Sequence, residues 1–217
     1  MEDIDAIALL QDPLRRRLYE FVTAQGREVG RNEAAEAAGV ARTLAAFHLD
    51  KLVDAGLLEA GSRRLTGRSG PGAGRPAKVY RRSAVERGVS VPARDYRTAA
   101  GLLAEAAEAA GLDMELQDAA RRRGRALRGG GSCGDLDDVA EVLAGRGYEP
   151  VRDEGGAVLR MRNCPFHAVA EQFPPLVCGM NLALLEGLVE GSRVRVRMDP
   201  RPGWCCVAAE SSKNNED

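Results

Sequence analysis

One stretch of the sequence, residues 41–58 (ARTLAAFHLDKLVDAGLL), decides the fold. Apolar side chains recur through it at helical spacing, which predicts an amphipathic helix over residues 41–55. Gly56 follows the last of these positions, and glycine commonly ends a helix because it adopts left-handed backbone angles without strain. The side chains that we expect to pack inward are Leu44, Phe47, Leu52 and Val53.

Two more helices are predicted before this stretch. Asp12 and Pro13 favour a helix start, because aspartate caps a helix and proline suits its first position. A short helix over residues 32–38, capped by Asn32, then leads through a glycine turn into the helix of residues 41–55. Two helices joined by a short turn that contains glycine are typical of a helix-turn-helix.

A basic hairpin is predicted after these helices. Residues 57–60 and 78–81 have the composition of two short strands, and the Gly-, Arg- and Pro-rich stretch between them is too polar for a core. Residues 61–85 carry seven basic side chains and no acidic one, on a chain whose net charge is −1. Such a segment indicates contact with phosphates, and the hairpin has the place of a wing.

Residues 10–82 resemble the winged helix-turn-helix of the ArsR-like group. The resemblance is carried by residues 12–16, the helix and turn of residues 32–40, residues 47–58 and the closing Val79-Tyr80. It implies binding of double-stranded operator DNA, with the helix of residues 41–55 in the major groove. The side chains expected to contact DNA are Arg42, Thr43, His48, Lys51, Arg63, Arg64, Arg68 and Arg75.

These contact residues are expected to differ in their roles. Arg42 is the best candidate for reading a base, because a guanidinium pairs bidentately with guanine. Thr43 and His48 are expected on the exposed face, with Ala46, near the start of the helix. The wing arginines suit phosphates or the minor groove. Two alternatives stay open: a solvated loop for the wing, and a structural role for His48.

The rest of the chain predicts a helical segment followed by an α+β domain. Residues 95–110 and 113–127 have helical composition, and the small and apolar side chains of the first helix suit close packing in a homodimer. Packing of that helix on its own domain is the alternative. The expected fold is mainly α with small β elements. Its predicted parts are a DNA-binding domain (1–88), a helical linker or dimerisation segment (94–128), an α+β sensor domain (133–210) and a disordered tail (211–217).

Four of the five cysteines lie near the end of the chain. Cys164 and Cys178 are predicted at the starts of two helices, where the helix dipole favours thiolate and lowers the thiol pKa. Cys205 and Cys206 fall in a predicted strand over residues 204–209, where neighbours point to opposite faces, so we expect only one of them to bind a metal. The spacing is wider than the close cysteine pairs of structural zinc sites and favours an iron–sulfur cluster.

The fourth ligand is open at this level. His167 lies three residues after Cys164 and shares its helical face, and Cys133 is the other candidate. Three alternatives to an iron–sulfur cluster are zinc or another thiophilic metal, a redox-switch disulfide, and cysteines that act as small buried hydrophobic residues.

Residues 148–209 resemble the C-terminal domain of SufR-type iron–sulfur repressors. The matching features are Cys164-Pro165-Phe166, the thirteen residues between Cys164 and Cys178, the Ala183-Leu184-Leu185 segment and a Gly-x-Cys-Cys strand. The resemblance implies a dimeric regulator whose operator binding responds to a cluster, expected to be [4Fe–4S]. The adjacent cysteines and His167 depart from the pattern, which leaves the ligand set open.

The sequence also argues against several other classes of protein: membrane proteins, secreted proteins and enzymes. No apolar run approaches the ~18 residues that a membrane span needs, and the acidic start has no features of a secretory signal, so a cytoplasmic protein that contacts no membrane is expected. We find no nucleophile–histidine–carboxylate set and no paired carboxylates, so we expect no catalytic residues and no enzyme. An iron–sulfur-sensing transcription factor is therefore predicted, with an ArsR-like zinc sensor or thiol switch as the alternative.

Overall fold

The computed structural model of the chain describes residues 3–63, 76–128 and 134–212. The fold is mixed α/β, about 52% helical, with two small antiparallel sheets. The chain divides into two compact units, Met1–Arg94 and Asp95–Asp217. Within the described ranges, no helix has both the length and the apolar character that crossing a membrane requires.

The first unit is built from four helices and a three-stranded sheet. Asp12 caps α2 as predicted, because its side chain accepts hydrogen bonds from the backbone of Leu14 and Arg15 at 2.9 and 3.0 Å. A 3-10 turn, Leu9–Gln11, separates α1 from α2. The helices are α1 (Asp3–Ala8), α2 (Pro13–Gln25), α3 (Arg31–Ala38) and α4 (Arg42–Asp54).

The predicted cap of α3 is wrong. The residue before the helix is Gly30, and no side chain caps it. The reason is a strand that the sequence did not reveal: Val29 and Gly30 form β1 and pair with β3, which keeps the chain extended up to the helix. The sheet has the order β1-β3-β2, and its longer strands are β2 (Leu58–Arg63) and β3 (Ala77–Arg82). The wing loop between them lies largely outside the described residues.

The second unit packs helices against a four-stranded antiparallel sheet of order β4-β5-β7-β6. Its helices are α5 (Tyr96–Ala109), α6 (Asp113–Leu127), α7 (Leu136–Ala144), α8 (His167–Ala170) and α9 (Pro174–Val189). Its strands are β4 (Pro150–Arg152), β5 (Val158–Met161), β6 (Val194–Met198) and β7 (Val207–Ser211). The hairpin predicted around residues 155–156 is present as β4 and β5.

Helix α6 packs so closely on α9 that the backbones touch. A Cβ at Gly124 would lie 2.0 Å from the Leu184 carbonyl oxygen, and one at Gly187 would lie 2.1 Å from that of Arg121. Arg121 also pairs with Glu186 at 2.7 Å. The segment predicted as a linker therefore contributes α6 to the core of the second unit.

Three boundaries in this unit differ from the prediction. Helix α9 begins at Pro174 rather than at Gly179, because prolines fit the first turn, where backbone amides have no partners. Strand β7 begins at Val207, after a bend at Cys206, rather than at Trp204. Ser211 is the last residue of β7 rather than the first of a tail, and residues 213–217 lie outside the described residues.

Candidate functional site

The N-terminal half of α4 presents an exposed face. Arg42, Thr43 and Leu44 are exposed, and 53% of Phe47 is accessible to solvent. Lys51 continues this face, with its Nζ 4.8 Å from the centroid of the Phe47 ring. Arg42 makes no hydrogen bond or ion pair with any other residue that the structure describes. This face thus combines two cations, a hydroxyl and an aromatic ring.

The inward face of α4 is not the predicted one. Leu44 and Phe47, expected in the core, are exposed, whereas His48, expected at the surface, is only 7% exposed. The core-facing positions are Ala45, Leu49 and Leu52, and His48 lies among them at the spacing of one helical turn. Its Nδ1 accepts a hydrogen bond from Arg15 Nε at 3.4 Å, so His48 has a structural role.

Asp50 ties α4 to the sheet. Its carboxylate accepts hydrogen bonds from Tyr80 Oη at 2.6 Å and Lys78 Nζ at 2.7 Å, and Arg31 lies 3.5 Å away. Burial and the Asp50 hydrogen bond raise the pKa of Tyr80 to about 12. Burial opposes ionisation of Asp50, but the hydrogen bonds from Lys78 and Tyr80 outweigh it and lower the pKa of the carboxyl. The orientation of α4 relative to β3 is therefore held by a charged network.

A cleft of about 920 Å³ lies between the starts of α3 and α4 and the β2–β3 hairpin. Its cationic lining residues are Arg31, Arg42, Arg63 and Lys78. Glu33, the acid among the lining residues, is paired with Arg27. Three of these cations have acidic partners, because Arg31 and Lys78 contact Asp50 and Arg63 lies 3.7 Å from Glu28. Among the described residues that line the cleft, Arg42 is the cation without such a partner. Arg64, Arg68 and Arg75, also predicted as contact residues, lie outside the described residues.

Four thiols meet in the second unit. Cys164 lies in the turn after β5, Cys178 in α9, and Cys205 and Cys206 in the bend before β7. Their side chains are close enough for neighbours to shift one another's pKa, in the order Cys164–Cys205–Cys206–Cys178. Cys205 is buried, and the other three are partly buried. The structure thus brings together all four cysteines predicted as ligands.

Cys205 and Cys206 lie ahead of β7, with a bend at Cys206, so the strand alternation assumed for them does not apply. The expectation that they point to opposite faces required a regular strand. The Cys205 amide donates to Met161 O on one side at 2.8 Å, while the Cys206 carbonyl accepts from Asp199 N on the other at 2.7 Å. The backbone is thereby anchored between β5 and β6 ahead of β7.

The pKa values of the thiols are shifted in different directions. Hydrogen bonds from Cys164 and Cys206 lower the pKa of Cys205, whereas the hydrogen bond to Cys205 and burial raise the pKa of Cys164. The same two causes raise the pKa of Cys206. The predicted low pKa of Cys164 is therefore wrong, because its neighbouring thiol outweighs the helix start.

Of the two candidates for a further ligand, the structure describes His167, which contacts an acidic side chain. His167 Nε2 lies 3.2 Å from Glu171 Oε1, and its side chain is 66% exposed. Cys133 lies outside the described residues. Over residues 3–63, 76–128 and 134–212, no three Cys, His, Asp or Glu side chains are arranged around a single point as ligands of one metal ion.

Sequence reasoning missed two buried polar residues beside the thiols. Asn181 is 1% exposed and Tyr148 is 4% exposed. Tyr148 Oη donates to Asn181 Oδ1 at 2.6 Å, and Asn181 Nδ2 donates to Cys205 Sγ at 3.4 Å. Burial, together with the nearby Cys164, raises the pKa of Tyr148, so its hydroxyl stays a donor. A lone amide in the otherwise apolar α9 was the available signal.

Comparison with known proteins gives this chain no relative. No family model, curated protein or solved structure matches it significantly.

Proposed function

We propose that this chain is a DNA-binding transcriptional regulator whose operator binding is controlled by an iron–sulfur cluster in the second unit. The observation that carries the DNA-binding part is the exposed face of α4, where Arg42 borders a cleft. Arg42 and Phe47 are not used by the fold, although large apolar and unpaired cationic side chains are the groups that recognition surfaces present. The first unit then acts as a winged helix-turn-helix.

The proposed contacts follow from the chemistry of that face. In the major groove, Arg42 would pair with guanine, and the Phe47 ring would contact a thymine methyl group. Arg63 at the cleft, whose side chain is 52% exposed, would exchange its contact with Glu28 for a phosphate, which makes binding fall with salt. His48 is not among the proposed DNA contacts, because it is buried.

The DNA-binding part is tested by selecting duplexes from a random library with the full chain and measuring affinity for the selected operator. Arg42→Ala should weaken binding by about 1–3 kcal/mol and relax the preference at one position. Arg17→Ala, which removes an exposed arginine from α2, is the matched control and should bind as the wild type does. Equal affinity of all three proteins would reject the proposed role of α4.

The cluster part rests on the four thiols. Four cysteine sulfurs are the number and type of ligands that a [4Fe–4S] cluster takes, so Cys164, Cys178, Cys205 and Cys206 fit this group. This proposal replaces His167 with the second of the adjacent cysteines. A bound cluster would supply a centre that gains or loses an electron or is lost to oxidants. Because α9 carries Cys178 and packs on α6, occupancy of the site would bias the arrangement of these helices.

A homodimer is part of the proposal. Helix α5 has fourteen residues, and none is buried, although Leu102 and Leu103 are 62% and 72% exposed. A second copy would cover this helix. An antiparallel pair centred between Leu102 and Leu103 places Arg97 of one copy opposite Glu108 of the other, so charge complementarity favours that arrangement.

The pairwise thiol contacts favour one second candidate, a thiol redox switch. Cys164 contacts Cys205, and Cys206 contacts Cys178, so oxidation would need little movement to form disulfides. Anaerobic purification separates the possibilities. About four irons and four sulfides per chain with visible absorption support the cluster. Zinc without iron supports a zinc sensor, and a metal-free protein whose oxidation forms these disulfides supports the switch.

A further inference from the structure

An amide buried beside the thiols has no structural need that explains its place. Asn181 lies on α9, whose other buried residues are apolar, and it is 1% exposed. Burying an amide in such surroundings costs free energy unless both of its ends form hydrogen bonds. An apolar side chain would fill the position without that cost. The hydrogen bonds are therefore what the amide provides and an apolar side chain would not.

Both ends of the Asn181 amide form hydrogen bonds, and these bonds fix its orientation: the oxygen accepts and the nitrogen donates. Tyr148 Oη, 2.6 Å away, donates to the oxygen, which leaves the nitrogen to donate to Cys205 Sγ at 3.4 Å. A sulfur that holds a metal accepts hydrogen bonds and has no proton to donate, so the reverse orientation of the amide would place two acceptors together. The Tyr148 ring is itself fixed by an edge contact with Phe166.

The amide also lies on the same helix as one of the proposed ligands. Cys178 and Asn181 are three residues apart on α9 and therefore share a face. One rigid helix thus presents a thiol and an amide donor to the same site, and the segment ahead of β7 brings the acceptor, Cys205, to them.

We propose that Tyr148 and Asn181 form a hydrogen-bond relay that donates to the Cys205 sulfur and raises the reduction potential of the cluster held by the four thiols. This inference rests on the proposed function. A hydrogen bond to a ligating sulfur withdraws negative charge from the cluster. Reduction adds an electron, so the more negative reduced state gains more from the bond than the oxidised state does. Tyr148 and Asn181 are positioning residues that act through Cys205.

The test is a redox titration of the anaerobically purified full chain, followed by visible absorption. Asn181→Leu removes the donor while keeping a branched side chain, and Tyr148→Phe removes only the hydroxyl that orients the amide. Asn163→Ala is the control, because it removes an exposed amide that donates to Gly147 O, next to Cys164 but not to a sulfur. Iron and sulfide content, the half-life of the cluster in a chelator and unfolding of the metal-free proteins are measured alongside.

We expect a more negative potential in Asn181→Leu, a smaller shift of the same sign in Tyr148→Phe, and no shift in Asn163→Ala. The cluster of the first two variants should also be lost to the chelator several-fold faster. If Asn181→Leu loses the cluster during purification, a more negative potential in Tyr148→Phe still supports the relay. Wild-type potentials in variants that retain the cluster overturn the relay alone. Loss of the cluster in both variants, together with less stable metal-free proteins, assigns the pair a structural role and also overturns it. A wild-type protein without iron and sulfide rejects the proposed function and the relay with it.

Discussion

Gly124 of α6 and Gly187 of α9 face each other where the two helices cross, and neither position has room for a side chain. A Cβ on Gly124 would lie 3.0 Å from the Gly187 carbonyl carbon and 2.0 Å from Leu184 O. The obstructing atoms belong to the backbone, so they cannot move aside as the end of a flexible side chain would. The second unit therefore depends on two glycines inside helices, where glycine is otherwise unfavourable.

Gly124→Ala should destabilise the protein. Overpacking costs about 1–3 kcal/mol, while alanine gains about 1 kcal/mol over glycine inside a helix. Because the new Cβ would overlap backbone atoms, we expect the loss to dominate and the unfolding midpoint to fall. Gly101→Ala in α5, where a Cβ meets nothing within 4 Å, is the matched control and should raise or preserve the midpoint.

Phe47→Ala and Leu49→Ala should separate recognition from folding. Phe47 is 53% exposed and Leu49 is fully buried, although they are two residues apart on α4. Leu49→Ala should cost about 2–5 kcal/mol of unfolding free energy. Phe47→Ala should leave the unfolding transition nearly unchanged and lower discrimination for thymine in the selected operator. A large loss of stability in Phe47→Ala would show that its ring belongs to the core.

Asp50→Asn should change how stability depends on pH. The pKa of Asp50 is lowered in the folded protein, so its contribution is present above the unfolded value, about 3.9, and is lost as pH falls through the lower folded pKa. The difference in unfolding free energy between wild type and Asp50→Asn should therefore be largest near neutral pH and shrink below about pH 4. Asp54→Asn is the charge-matched control on the same helix. An equal difference at all pH values would contradict the role of the ionised carboxylate.

Leu102→Glu with Leu103→Glu should convert the proposed dimer into a monomer, measured by analytical ultracentrifugation. Two buried charges per helix would oppose the packing that the proposal places there. Val85→Glu, a change at an exposed apolar residue of the first unit, is the control. The antiparallel arrangement is tested by charge reversal: Arg97→Glu should weaken association, and adding Glu108→Arg should restore it. A wild-type monomer at micromolar concentration rejects the dimer.

Cys206→Ser should remove iron as completely as Cys205→Ser does. The two thiols contact each other and continue to Cys164 and Cys178, so the proposal makes both of them ligands. His167→Ala should retain iron, sulfide and the visible spectrum, because the imidazole contacts Glu171. A normal iron content in Cys206→Ser together with a loss in His167→Ala would restore the histidine as the fourth ligand.

Local chemistry was enough to predict most of the helices and strands, but not β1. Asp12 and Pro13 mark the start of α2, and Gly26, Gly39 and Gly56 follow helices with φ of 61°, 65° and 70°. These signals act within a few residues, since a cap or a left-handed glycine satisfies the groups at its own helix end. The predicted helix over residues 113–127 also has the observed bounds.

The sequence by itself determined where helices and strands form, but only the tertiary structure decided which faces they bury. On α4, rotating the buried face by one residue position buries His48 in place of Phe47. Apolar periodicity does not distinguish these two orientations of the helix, because both faces carry apolar residues. The charged network of Asp50 with Lys78 and Tyr80, whose members are far apart in sequence, orients the helix relative to the sheet. The thiol site is decided in the same way. The segment ahead of β7 brings Cys205 and Cys206 to Cys164 and Cys178, and neighbouring thiols shift the pKa values of Cys164, Cys205 and Cys206. Such interactions depend on distances through space, which a one-dimensional pattern does not contain.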